Sequence, residues 1–175
     1  LEDPRDLWER GEWTWDKFNE YLTILTQDTD GDGQTDRYGY CGYEIETFEQ
    51  LMMSNGGSIA TGKTETLSSA ATGEALQQMY DMYNLMNVCY PYDFDGDPSE
   101  TMRSMYRNGN VAFFPIAAWI NSKEDDYDWD GTGDEVLPFD IAYCRWPVGP
   151  SGSKETNPGK NGISGTYYMI PAGVE

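Results

Sequence analysis

Trp13-Thr14-Trp15-Asp16-Lys17-Phe18, running on into Asn19-Glu20-Tyr21-Leu22-Thr23-Ile24-Leu25, is the stretch on which the fold turns. The Thr14 hydroxyl can satisfy an unpaired N–H of a first helical turn, and Asp16 puts negative charge where the helix dipole favours it. Phe18, Tyr21, Leu22 and Leu25 follow at helical spacing, which predicts a helix to about Gln27. Further along, a polar glycine-rich loop spans Asp28 to Asp36 and Arg37 to Tyr43 has the aromatic content of a strand. A helix is expected over Glu46 to Met53, stopped by Asn55-Gly56-Gly57, because glycine tolerates the left-handed backbone of a helix end. The longest helix, Ser69 to Asn87, is expected to bury Leu76, Met79, Tyr80, Tyr83 and Met86. Another, Ser99 to Asn108, is capped by Ser99, buries Met102, Met105 and Tyr106, and feeds a strand over Asn110 to Pro115. Beyond it, Asn121 to Glu135 is an acidic loop, Pro138 to Tyr143 is extended, Val148 to Gly162 is a loop and Ile163 to Ile170 a strand. The pattern predicts an α/β class, helix-rich with a small mixed sheet.

Composition narrows the function. With 175 residues, 38% hydrophobic and 14% aromatic, the chain can build one domain with its own core. A formal charge of −20 disfavours nucleic acid and anionic membranes. No apolar run is long enough to span a bilayer and no signal peptide opens the chain, which begins at Leu1 and reads as a mature product or a fragment. The absence of histidine removes Ser-His and Cys-His hydrolase chemistry from this chain. Cys41, Cys89 and Cys144 lack metal or redox spacing; they read as buried thiols, with one disulfide open to them in an oxidising compartment.

The most specific motif is Asp28-x-Asp30-x-Asp32-Gly33-x-x-Asp36. Calcium takes six to eight oxygen ligands, and alternate residues of a tight loop converge their carboxylates on one ion. Asp28, Asp30 and Asp32 fall at the first, third and fifth ligand positions, Gln34 offers its carbonyl at the seventh and Asp36 lies at the ninth. Gly39 stands where an EF-hand places its bidentate Glu, so coordination is completed by water or by Asp36. The spacing recurs at Asp126, Asp128, Asp130, Thr132 and Asp134, a possible second calcium site, and more weakly at Asp93-x-Asp95-Gly96-Asp97. Such ions staple loops.

The order of several segments resembles the family 1 extracellular solute-binding proteins of ABC sugar importers. They are Gly11 to Phe18, Asp28 to Gly33, Arg37-Tyr38-Gly39, Ser54 to Gly57, Asn108 to Phe113, Pro147 to Pro150 and Tyr167 to Gly173. The resemblance, closest to maltodextrin binders, covers nearly the whole chain. It implies a periplasmic-binding-protein type II-like lobe: residues 1–175 as the second, C-terminal-type lobe of a two-lobe protein whose N-terminal lobe is absent here. It further implies a monomeric binder, not an enzyme, that captures carbohydrate between its lobes and serves the importer's membrane subunits. The protein would be extracellular, as a cell-surface lipoprotein or a periplasmic protein, held at a membrane only by an anchor outside this segment. By position in the family, Trp119 would stack on a sugar ring, with Glu44, Glu46 and Tyr43 beside it; Ala117-Ala118 precedes Trp119 where relatives carry Gly-Pro. Two other readings stand: a calcium-stabilised surface or adhesion module, which predicts no small-molecule cleft, and a glycosidase fragment, which needs two carboxylates facing each other across a cleft.

Overall fold

The computed structural model describes residues 1–91, 98–115 and 139–155, with side chains from 101 onward in the second span. The segments 92–97, 116–138 and 156–175 lie outside the described residues, and with them the expected strand Ile163 to Ile170 and the acidic loops around Asp95 and Asp128.

Helix α1, Pro4–Arg10, was not anticipated, although its ends are written in the sequence. The Asp3 carboxylate accepts from the Arg5 N–H, Pro4 opens the helix where its missing N–H costs nothing, and Gly11 closes it with φ 75°. The Arg5 guanidinium holds the Asp3 carboxyl well down, at about 2. Helix α2, Trp15–Leu25, begins as expected, with Thr14 accepting from the Lys17 N–H. Its inward face, Trp15, Phe18, Tyr21 and Leu22, is buried.

Strand β1, Tyr38–Tyr40, pairs in parallel with β4, Val111–Phe113, in the register Tyr38↔Val111 and Tyr40↔Phe113. A parallel bridge from Tyr40 to Cys89 adds a third segment beside β1. Helix α3, Glu44–Ser54, follows β1; a hairpin, β2 (Ala60–Thr61) with β3 (Thr64–Glu65), leads to α4, Ala70–Tyr80. α4 runs straight into a π-helical turn, Asp81–Leu85. Helix α5, Pro98–Arg107, precedes β4. Pro98 takes the first helical turn, which puts Ser99 inside the helix and not at its cap, a correction to the expected start. Of the segment expected to be extended, Phe139 to Tyr143 pair with no strand among the described residues, and Pro138 lies outside them.

The core gathers around Trp13, whose ring meets Phe18, Tyr21 and Phe113 at centroid distances of 5.7, 5.5 and 5.9 Å. Its indole N–H donates to the Arg145 carbonyl at 2.8 Å. The Val148 N–H reaches the Trp13 carbonyl and the Trp15 N–H reaches the Val148 carbonyl, so the segment after Arg145 is laced directly to the Trp-Thr-Trp stretch. β1 lies against α2 so closely that a Cβ on Gly39 would stand 2.6 Å from the Leu22 carbonyl oxygen. A smaller core, Cys41, Met102, Tyr106 and Val111, sits under α5.

The expected face of α4 is half wrong. Met79, Tyr83 and Met86 do pack against the core, but Leu76 and Tyr80 are about half exposed. The inward face is instead Thr72, Ala75, Gln78 and Met82. Alanine lets α3 approach, and the buried polar groups are satisfied: Gln78 and Asn19 exchange amide hydrogen bonds at 2.6 and 3.2 Å, and Ser69 caps α4 through the Thr72 N–H. Gly73 lies on the exposed side of α4 with nothing within 4 Å of an added Cβ. Gly73→Ala is therefore expected to stabilise the protein by about 0.5–1 kcal/mol, the propensity difference in a helix interior; a urea midpoint unchanged or lowered in the variant would contradict it.

Candidate functional site

Three of the four ligand residues expected from the resemblance, Tyr43, Glu44 and Glu46, stand where β1 ends. β1 and β4 run the same way, with the Tyr38 N–H donating to the Asn110 carbonyl and the Cys41 N–H to that of Phe113, so both strands finish at one edge. In open α/β sheets ligands bind outside the carboxyl ends of the strands. From β1 the chain passes through Gly42 and Tyr43 straight into α3. A Cβ on Gly42 would stand 2.5 Å from the Tyr40 hydroxyl and 2.8 Å from Pro115, so the exits of the two strands are packed together. Tyr43, at the N-cap of α3, is half-buried against the smaller core. Glu44, Ile45 and Glu46 make the first turn and are all exposed, Ile45 by 65%. Three of the four expected ligand residues thus share one turn at this edge; the fourth, Trp119, lies outside the described residues, four positions beyond Pro115.

An exposed apolar side chain between two carboxylates, at a helix N-terminus, suits a ligand that is apolar on its faces and rich in hydroxyl donors. Carboxylates accept hydrogen bonds in pairs, and their charge is stabilised by the first-turn N–H groups. The same turn carries no cation, metal-binding imidazole or activated nucleophile.

The acidic loop stands at the other end of β1. A backbone clasp closes its base: the Gln27 N–H donates to the Arg37 carbonyl, and the Asp36 and Arg37 N–H groups donate to the Gln27 carbonyl. Within it, Asp28, Asp30 and Asp36 each bring a carboxylate oxygen within 4.8 Å of the others. The Gly33 and Gly31 N–H groups donate to Asp28 at 2.8 and 2.6 Å, and the hydroxyl and N–H of Thr29 donate to Asp36, both at 2.7 Å. These bonds hold both carboxyls below the ordinary aspartate range, in each case against the burial effect, so the loop stays charged. Gly31 and Gly33 make the turns, at φ 81° and 87°. Asp32 accepts from the N–H and side-chain amide of its neighbour Gln34 at 2.7 and 3.0 Å and stands outside the three-carboxylate group. The possible second site, Asp126, Asp128, Asp130, Thr132 and Asp134, lies outside the described residues.

Sequence reading missed two features. The first is a groove of about 340 Å³ lined by Trp8, Thr14, Val148, Pro150 and Lys154, among others, with the Arg145 guanidinium 5.2 Å from the Trp8 ring. None of its lining residues belongs to the β1/β4 edge. The second is the polar knot around Asn55. This side chain, fully buried, donates to the Ala71 carbonyl and to Glu74 at 2.9 and 2.7 Å and accepts from the Ser151 N–H at 2.7 Å. The only sequence signal was Asn-Gly-Gly, which marks a helix end and says nothing of what that end holds. All three cysteines are unbonded; Cys41 and Cys89 are buried as expected, but Cys144 is exposed. Cys89 pairs in register with Tyr40 and packs in the main core, whereas Cys41, one residue on, faces the smaller one. Burial pushes the Cys41 thiol up to about 12, which makes it inert.

No protein-family model and no curated protein matches the chain. Solved structures do. UspC of M. tuberculosis matches at TM-score 0.59 and 18% identity over 77% of this chain and 34% of its own. The maltose/maltodextrin-binding domain MalE from Bdellovibrio bacteriovorus, bound to maltotriose, matches at TM-score 0.62 and 19% identity over 88% of this chain and 36% of its own. An ABC substrate-binding protein from Listeria monocytogenes, in complex with cycloalternan, matches at TM-score 0.53 and 22% identity over 70% and 32%. The chain spans about a third of the length of these proteins. Among the described residues no helix is long and apolar enough to cross a membrane. The fold is a helix-rich α/β one, shared with the matched third of these solved structures.

Proposed function

We propose that this chain is one lobe of an extracellular solute-binding protein that captures a carbohydrate and presents it to the membrane subunits of an ABC importer. One observation carries the proposal: the carboxyl edge of the parallel β1/β4 pair presents exposed Glu44, Ile45 and Glu46 beside Tyr43, in a lobe whose fold is shared with proteins solved with maltotriose and with cycloalternan. In this reading Glu44 and Glu46 accept hydrogen bonds from sugar hydroxyls, while Trp119 takes the C–H face of a ring. A second lobe supplies the opposite wall, and closure of the two around the ligand is the event the importer senses. The protein works as a monomer outside the cell, as a lipoprotein or in a periplasm, and performs no reaction on its ligand.

Calcium belongs to the same proposal. Asp28, Asp30 and Asp36 form a hard-oxygen cluster of the kind that ion prefers, with Asp32 and the Gln34 carbonyl as the remaining donors of the loop. The ion would stand at the amino end of β1, remote from Glu44, and would be structural.

The test is thermal melting of the protein with both lobes, at constant calcium, against glucose, galactose, xylose, maltose, maltotriose, cellobiose and xylobiose. Ligand at ten times its Kd stabilises the folded state by about 1.4 kcal/mol. One glycan class is expected to raise the Tm, and Trp119→Ala to abolish the rise. No shift with any of these sugars at 50-fold above roughly millimolar affinity would end the carbohydrate reading.

A further inference from the structure

We infer that the buried Thr47 and the half-buried Tyr83 are positioning residues that fix the turn presenting Glu44 and Glu46. The inference rests on the carbohydrate reading of that edge. Thr47 is 1% exposed and donates its hydroxyl proton to the Tyr43 carbonyl at 2.7 Å, the carbonyl that also accepts the Thr47 N–H at 2.8 Å. Tyr83 donates to the preceding carbonyl, that of Gly42, at 2.7 Å. A hydroxyl has one proton to give, so in the 2.7 Å pair between Tyr40 and Thr47 the donor is Tyr40. A longer 3.3 Å contact between Thr47 and Tyr83 closes the group. Two successive carbonyls at the exit of β1 are thus held from beneath by side chains of α3 and of the segment after α4.

The π-turn explains how Tyr83 gets there. In a regular helix residue 83 falls on the face of Leu76, seven positions earlier, at the margin of the buried side. A π-turn advances fewer degrees per residue, which turns Tyr83 inward, next to Met82, which already lies on the buried face of Ala75 seven positions earlier. π-turns are uncommon and concentrate at functional sites. Here its effect is to deliver one hydroxyl to the backbone of the ligand edge.

Tyr83→Phe deletes that hydroxyl and keeps the ring, and Tyr80→Phe, on the exposed side of the same helix, is the matched control. Two readouts are taken on the full-length protein: amide hydrogen exchange without ligand, and affinity for whichever glycan of the melting panel the wild type binds. In Tyr83→Phe, exchange at the Thr47 amide is expected to rise about three- to tenfold with α2 amides unchanged, and affinity to fall by a similar factor, the weight of one neutral hydrogen bond. Thr47→Val should do the same and Thr47→Ser should not. Unchanged exchange at Thr47, or exchange raised equally throughout the lobe, overturns the inference whatever the ligand. Faster local exchange with undiminished affinity overturns it too, and the carbohydrate reading then stands. A wild type that binds no glycan of the panel overturns that reading, and the inference falls with it.

Discussion

Replacing Gly149 by alanine is expected to destabilise the protein by about 3–4 kcal/mol, lowering the Tm by about 10 °C. A Cβ at that position would overlap the Asn55 Oδ1 and approach Trp15 Cε2 to 2.8 Å. Neither neighbour is free to retreat. Asn55 is tied by three hydrogen bonds, to Ala71, Glu74 and Ser151, and the Trp15 indole N–H donates to the Ser54 hydroxyl at 3.2 Å. The methyl group therefore strains the core, at about 1–3 kcal/mol, and displaces the 149–152 segment enough to strand a buried amide, at a further 1–3 kcal/mol. For a domain of this size 1 kcal/mol is worth about 2–4 °C. Gly62→Ala has open space around the new methyl group and serves as the comparison for a glycine outside the knot, though its φ of 63° carries its own strain. A thermal melt of Gly149→Ala within 2–3 °C of wild type, or about 1 kcal/mol, would show that the segment docks loosely and that Asn55 does not organise this side of the lobe.

That knot was invisible in the sequence for a physical reason. Hydropathy periodicity finds faces that bury apolar side chains, and Asn55, Thr72, Gln78 and Glu74 hold elements together with polar ones. The same blindness misassigned α4: Leu76 and Tyr80 looked inward because they are apolar, whereas the close approach of α3 selects Ala75, and the π-turn shifts the register before Tyr83 and Met86 are reached. Local signals fared better. Thr14 caps α2 as read, Asn55-Gly56-Gly57 ends α3, and Gly109 ends α5 with φ 70°. α1 carried equally plain signals in Asp3, Pro4 and Gly11, but at seven residues it is too short for periodicity to announce. The pairing of β1 with β4, which joins residues far apart in sequence, is a tertiary fact that no local pattern encodes. It is also what gives the candidate site its meaning, because Tyr43, Glu44 and Glu46 become an edge only when β4 finishes beside β1.

The two ends of β1 are held in different ways. At the carboxyl end Gly42 and Tyr43 are clamped by hydroxyls, and at the amino end an acidic loop is closed by the Gln27–Arg37 clasp. A three-residue strand is too short to hold its register by ladder hydrogen bonds alone, so whatever orders the loop also orders the start of the strand.

If calcium occupies this loop as proposed, its removal is expected to destabilise the protein by about 2.7 kcal/mol, the stabilisation conferred by an ion present at a hundredfold its Kd, and to lower the Tm by roughly 5–11 °C. Asp28, Asp30 and Asp36 crowd their charges within 4.8 Å of one another on a chain that already carries −20. Main-chain N–H groups and Thr29 keep Asp28 and Asp36 ionised, with Arg37 adding only a minor positive contribution at Asp36, so the carboxylates repel one another and a bound cation would relieve them. The measurement is a melt with EDTA against one with calcium, repeated on Asp28→Asn/Asp30→Asn. The wild type should lose Tm in EDTA, and the double variant should start lower in calcium and respond less. Magnesium should substitute poorly, because it demands a smaller octahedral shell and keeps its waters. Identical melts in EDTA and calcium would remove the ion from the proposal and leave Asp28 and Asp36 as turn-forming residues. A full response surviving in the double variant would instead move the calcium to a different acidic loop of the chain.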